Sequence, residues 1–204
     1  MPIPMDNELT RRGALVALGA AASLALVSPA RALTTAEARS LIDRAVGDVN
    51  AVIGSGQPEA QMLTAFEKIF AKYADVRYIA QSALGPAGRQ ASPAQMSAYV
   101  KAFQVYIARK YGRRFREFIG GQIEVTGAHP LKSFFEVTSI AKLRGQAPFE
   151  VDWHVFDKSG RDLFFNIIIE GVNMLAAERT EIGAMLDKAG GKIDRLTAAL
   201  IKAG

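Results

Sequence analysis

The chain has 204 residues, 25 Lys and Arg against 20 Asp and Glu, a net charge of +5 and no cysteine, and half of it is hydrophobic. The missing cysteines exclude a disulfide framework, a cysteine-based zinc site, thiol catalysis and lipid attachment at a cysteine. The mild positive charge suits work near anionic lipid surfaces but is common among soluble proteins.

Residues 1–32 read as a cleavable export signal of the twin-arginine type. Thr10-Arg11-Arg12 precedes an uncharged run from Ala14 to Val27. That run is shorter than the ~20 apolar residues a spanning helix needs. Ser28-Pro29 breaks it, and Ala30-Arg31-Ala32 fits the small-x-small rule for signal peptidase. Cleavage after Ala32 leaves 172 residues with a net charge of +4, read as one domain over 33–204. A twin-arginine route would carry this domain folded, whereas a general secretory route would use Arg11-Arg12 only as a positive n-region.

The first half of the domain predicts helices. Thr34-Thr35-Ala36-Glu37 is a capping box, followed by Leu41, Ile42, Ala45, Val46, Val49 and Val52 at helical spacing. Gly54-Ser55-Gly56 ends that helix, and Pro58 opens a second with Met62, Phe66, Ile69, Phe70 and Tyr73 on one face. A short third runs from Asp75 to Leu84. Ser92-Pro93 caps a long fourth, whose stripe includes Met96, Tyr99, Phe103, Tyr106, Ile107, Tyr111, Phe115 and Phe118.

The second half changes period. Residues 122–127, 133–144, 149–158 and 161–170 predict four strands, with turns at Gly127 to Pro130, Gly145 to Pro148 and Ser159-Gly160. The third strand sets Phe149, Val151, Trp153 and Val155 on one face and Glu150, Asp152 and His154 on the other. The fourth is apolar on both faces, as in a strand covered on both sides. Helix returns after Gly171. The order predicts an α+β fold: N-terminal helices and a long amphipathic helix on a curved four-stranded antiparallel sheet, then C-terminal helices.

Common catalytic signatures are absent: no Gly-x-Ser-x-Gly elbow, no P-loop and no dinucleotide fingerprint. His129 and His154 have no partner at metal-ligand spacing, so no metal site is expected. In the run Arg109-Lys110-Tyr111-Gly112-Arg113-Arg114-Phe115-Arg116, a helix would place Arg109, Arg113 and Arg116 on one face. They are candidates for a lipid headgroup rim or a partner docking patch, while export argues against nucleic acid.

From Phe66 onward the chain resembles the MlaC/toluene-tolerance family of periplasmic phospholipid-carrying proteins. Three stretches carry the resemblance: Tyr78-Ile79-Ala80 through Leu84-Gly85 to Ser92-Pro93-Ala94-Gln95; Phe103-Gln104-Val105-Tyr106 into Tyr111; and Ile167-Ile168-Ile169-Glu170-Gly171-Val172-Asn173-Met174, with Asn173 where a Ser is commoner. The chain departs from the family pattern at Pro86-Ala87-Gly88-Arg89 and at Asp162-Leu163-Phe164-Phe165. These departures keep a hopanoid-associated branch, with a rigid polycyclic lipid as cargo, open.

The resemblance implies a helical layer over a curved sheet with an apolar pocket between them, no cofactor and no catalytic group. It implies a monomer that carries a phospholipid or related lipid between an inner-membrane ABC transporter complex and an outer-membrane lipoprotein complex. At ~0.8 kcal/mol per methylene, burying about fifteen methylenes would stabilise a complex by ~12 kcal/mol. Candidate lining residues are Tyr73, Val76, Ile79, Phe103, Tyr106, Ile107 and Tyr111 from the helices, and Phe135, Val137, Trp153, Val155, Ile167, Ile169 and Val172 from the sheet. Two other readings stand beside the carrier. In one, Asp152 and His154 form an acid–base pair of a periplasmic enzyme acting on a small apolar substrate. In the other, the aromatics make a solid core without a cavity of the ~300–1,000 Å³ typical of ligand pockets.

Overall fold

The structure, a computed structural model, describes residues 32–114 and 119–203. The export signal through Arg31, and Phe115, Arg116 and Phe118 of the fourth-helix stripe and basic run, lie outside the described residues.

Four helices come first: α1 (Thr35–Ile53), α2 (Glu59–Tyr73), α3 (Val76–Leu84) and α4 (Pro93–Arg114). Local chemistry sets their starts. The Thr34 hydroxyl accepts from the Glu37 N–H, and the Glu37 carboxylate accepts from the Thr34 N–H at 2.9 Å. Asp75 caps α3 by accepting from the Tyr78 N–H at 2.9 Å. Ser92 and Gln95 exchange the same reciprocal bonds at the head of α4. Gly112 marks where α4 crosses α2, since a Cβ there would stand 2.5 Å from Leu63 Cδ2.

An antiparallel meander follows: β1 (Gln122–Leu131), β2 (Phe134–Lys142), β3 (Phe149–Phe156), β4 (Leu163–Ile169) and β5 (Val172–Asn173), paired in that order. Helices α5 (Met174–Lys188) and α6 (Ile193–Ala203) close the chain. Helix α1 lies against β1, β2 and β3, while α2 and α6 pack on α4 and α3 packs on α5 beside β4. The fold is α+β as expected, with two corrections in the sheet.

The first correction is a fifth strand. Glu170 and Gly171 both have positive φ, 49° and 78°, and fold the chain back so that Val172 and Asn173 pair with Ile169 and Ile168. Asn173 then caps α5 through the Ala176 N–H at 3.0 Å, a task that Asn and Ser perform equally well. The second is the turn expected at Gly127 to Pro130, which lies inside β1. The ladder bulges between Val125 and Gly127, and a Cβ on Gly127 would stand 2.8 Å from Thr138 Oγ1. The glycine serves a close approach of two strands. Pro130 is tolerated because β1 is an edge strand.

Both flanks of the sheet are partly covered. The Asn50 side chain of α1 donates to the Ile123 carbonyl at 2.9 Å and accepts from the Ile123 N–H at 3.1 Å. Arg39 donates to the Val125 carbonyl at 3.1 Å. On the far side, the Asp75 N–H donates to the Phe164 carbonyl at 2.8 Å, and β5 covers the other end of β4.

Candidate functional site: an apolar cavity with one buried carboxylate

The inner face of the sheet and the helices above it enclose a cavity of about 170 Å³. Ala45 and Val49 come from α1, Phe66, Ile69 and Phe70 from α2, Ile79 from α3, and Ile107, Ala108 and Tyr111 from α4. The sheet supplies Trp153 and residues Phe164 to Ile167 with Ile169, and Met174, Leu175 and Glu178 close the wall from α5. The volume is below the ~300–1,000 Å³ of typical ligand pockets and close to that of cavities that admit benzene. The core is therefore neither solid nor open enough for a whole acyl chain. Large rings fill the difference, with Phe164 edge-on to Trp153 at 5.3 Å and tilted against Phe70 at 6.2 Å.

Polar groups enter this wall at two places. Asn166 accepts from the Leu175 N–H at 3.0 Å and so ties β4 to the start of α5. Glu178 is only 3% exposed. Its Oε1 accepts from Lys110 Nζ at 2.6 Å and from the Tyr111 hydroxyl. Lys110 also donates to Glu181 Oε2 at 2.6 Å, and the Tyr106 hydroxyl donates to Glu181 Oε1. Burial pulls the Lys110 amine down, but its bonds to Glu178 and Glu181 outweigh this and raise it. Burial likewise pushes Glu181 up, and its bonds from Lys110 and Tyr106 more than reverse the shift. Burial, first, and the bond to Glu181 keep Tyr106 neutral far above neutral pH.

Four residues stand in one register row across the sheet, His129, Glu136, His154 and Asn166, and the row ends at the cavity wall with Asn166. Glu136 stands 3.2 Å from His129 Nε2 and 3.1 Å from His154 Nε2. The Leu175 N–H fixes the Asn166 amide, so Asn166 Nδ2 donates to His154 Nδ1 at 3.3 Å. The other ring nitrogen, Nε2, faces Glu136. Both ring nitrogens are committed, and neither is left for Asp152. The acid–base pair considered from sequence is not formed, and His154 lies on the sheet face opposite Trp153 under the rings of Phe134 and Phe165, at 4.5 and 5.7 Å. Among the described residues no cluster of His, Asp or Glu could hold a metal ion, and no helix is long and apolar enough to cross a membrane.

Asp152 is held above the usual carboxylate range, first by burial and then by the charges of Glu150 and Glu136. Its Oδ1 is buried without a partner. A carboxyl whose folded-state pKa is raised destabilises the fold above that pKa, and the penalty vanishes below its ordinary value. Asp152→Asn is therefore expected to raise the melting temperature at about pH 7, with the gain shrinking as the pH falls through this window. Thermal melts at the two ends of the window check it, and an equal or lower melting temperature at neutral pH would contradict the assignment.

The family model described as "MlaC protein" matches residues 40–202. The chain belongs to the MlaC family. A solved structure shares the fold: a phospholipid-binding protein from Ralstonia solanacearum in complex with a phospholipid, 19% identical, with a TM-score of 0.70 over 81% of this chain and 96% of that one.

The MlaC match contains every cavity-lining residue. Of the lining residues expected from sequence, the structure brings Ile79, Ile107, Tyr111, Trp153, Ile167 and Ile169 to the wall. The others lie elsewhere. Tyr73 turns its hydroxyl to Asp48 at 2.8 Å, and Tyr106 turns to Glu181 on α5. Phe103 is fully buried against Tyr99, Val76 begins α3, and Val137 and Val155 are sealed in the core. Phe135 is half-buried opposite Val155, and Val172 on β5 is 56% exposed. Arg109 and Arg113 are exposed on α4.

The wall residues outside the expected set include apolar helix positions and one buried acid. Ala45, Val49, Phe66, Ile69 and Phe70 stand on apolar helix stripes, so the signal for burial was present and the signal for a cavity was not. Glu178 had no local signal, since its partners Lys110 and Tyr111 lie 68 and 67 residues away in sequence.

Proposed function

We propose that this MlaC-family chain is a soluble periplasmic lipid carrier, exported by the signal at residues 1–32. Acyl chains enter the cavity between helices and sheet, and the headgroup stays in water. The observation that carries the reading is the cavity wall itself, built from Ile, Val, Phe, Ala, Leu, Met and Trp side chains with Tyr111, Asn166 and Glu178 as its polar members. The phospholipid-bound relative of the same fold supports it. A cavity of about 170 Å³ must widen to bury a whole chain, so loading parts the helical wall from β4, and Phe66, Phe70 and Phe164 are the rings that yield. Binding then draws on the ~0.8 kcal/mol per methylene of apolar burial, less the cost of opening. Release into water is slow, and hand-over to an inner-membrane ABC transporter complex or an outer-membrane lipoprotein complex is the productive exit. Arg109 and Arg113, one turn apart on the exposed side of α4, meet the headgroup or the docking partner, together with Arg116.

Native mass spectrometry of the protein purified from cells, followed by incubation with phospholipid vesicles, tests the reading. One lipid per chain is expected. Ala108→Phe, which plugs the cavity from α4, is expected to cut uptake at least about tenfold while costing about 1–3 kcal/mol in overpacking. A protein that carries no lipid from cells and takes none from vesicles is not a carrier.

A further inference from the structure

Glu178 Oε2 is buried and has no hydrogen-bond partner in the protein, although its residue forms part of the cavity wall. An unmatched carboxylate oxygen in an apolar wall is costly, and such groups call for a functional explanation. The other oxygen is already engaged. Oε1 takes the Lys110 ammonium at 2.6 Å and the Tyr111 hydroxyl. Lys110 is itself shared with Glu181 at 2.6 Å, so the amine is divided between two acidic side chains and leaves Oε2 unmatched. A purely hydrocarbon ligand would leave Oε2 unpaired.

We propose that Glu178 is a polar subsite within the cavity and that its Oε2 accepts a hydrogen bond from a hydroxyl or ammonium group on the bound lipid. The cargo is then a lipid that carries a donor on the part that enters the wall between α4 and α5. This inference rests on the lipid-carrier reading and narrows it. Tyr111 and Lys110 hold the carboxylate in place, so the acceptor is oriented before the ligand arrives.

The test uses three probes with the same hydrocarbon chain, oleyl alcohol, oleylamine and methyl oleyl ether, each doped into phosphatidylcholine vesicles. Uptake by the purified full chain is read by native mass spectrometry. The alcohol and the amine are expected to be retained about tenfold over the ether, the size of one hydrogen bond to a charged group. In Glu178→Gln, the side-chain oxygen keeps Lys110 and Tyr111, and an amide N–H replaces Oε2. The preference should then collapse or invert toward the ether, and the amine should lose most. Equal retention of alcohol and ether by the unaltered chain overturns the subsite and leaves the carrier standing. Failure to take up any probe overturns the carrier itself. A preference for the alcohol that survives unchanged in Glu178→Gln overturns the assignment to Glu178. Because the first comparison needs no variant, it decides even where the substitution harms folding.

Discussion

Trp153→Ala is expected to lower the stability of the folded chain by about 3–5 kcal/mol. Trp153 is 7% exposed, stands edge-on to Phe164 at 5.3 Å and donates from Nε1 to Ser139 Oγ at 2.9 Å. Its ring is also cavity wall. Truncation joins the volume of the indole to the existing space, and the paired strands β2 and β4 on either side prevent collapse. The cost should therefore sit in the upper half of that range. Trp153→Phe keeps most of the ring and loses the hydrogen bond. Ser139 still donates to the Val151 carbonyl at 2.7 Å, so the loss should be only about 1 kcal/mol. Urea denaturation of the two variants measures both numbers. The enlarged cavity should also bind skatole, which would restore part of the lost melting temperature by mass action. A loss of less than about 1 kcal/mol for Trp153→Ala would mean that the ring does not hold the wall.

Lys110→Met is expected to cost about 3 kcal/mol. Breaking a buried ion pair by removing one partner leaves an uncompensated charge, typically worth ~3–5 kcal/mol. Glu178 is the buried charge here, with a side chain 4% exposed, whereas the Glu181 side chain is 43% exposed and water screens it. The estimate therefore rests on Glu178 and takes the low end. Adding Glu178→Gln to Lys110→Met removes the stranded charge, so the double variant should be more stable than Lys110→Met alone. The pH dependence has a definite sign. Glu181 is lowered from 4.5 in the fold, so its contribution is complete above 4.5 and is lost as pH falls through the lowered value. Lys110 is raised from 10.5, so its contribution is complete below 10.5 and is lost as pH rises through the raised value. The gap between the original chain and Lys110→Met should be widest between these limits and should narrow in acid. A gap that stays constant into acid would show that Lys110 acts through packing of its stem.

Helix positions were legible in the sequence because their signals are local. The Thr34–Glu37 box, the Asp75 cap and the Ser92–Gln95 pair each act within three residues. The strand signal failed at Gly127 because a glycine can mark either a turn or a close approach, and only the partner strand, carrying Thr138, decides between them. The wall residues were half legible. A stripe such as Phe66, Ile69 and Phe70 tells which side of a helix avoids water. It does not tell whether that side meets a filled core or a cavity, since both demand the same residues. The same ambiguity covers Val137 and Val155, which are fully buried in the sheet. Glu178 was illegible because its burial comes from α5 docking beside α4, a long-range event with no trace in the surrounding residues.

The side chains of Asn50 and Arg39 have a consequence for how copies of this chain behave when crowded. An uncovered outer strand offers a row of amide and carbonyl groups to any passing strand, which is the usual start of edge-to-edge aggregation. Asn50 occupies both backbone groups of Ile123 and Arg39 takes the Val125 carbonyl, so α1 mimics a further strand over that stretch of β1. At the opposite margin, Asp75 and β5 do the same for β4. Part of each flank of the meander is thus covered by a helix, a side chain or a short strand. Along those stretches a passing strand finds fewer open amide and carbonyl groups to pair with.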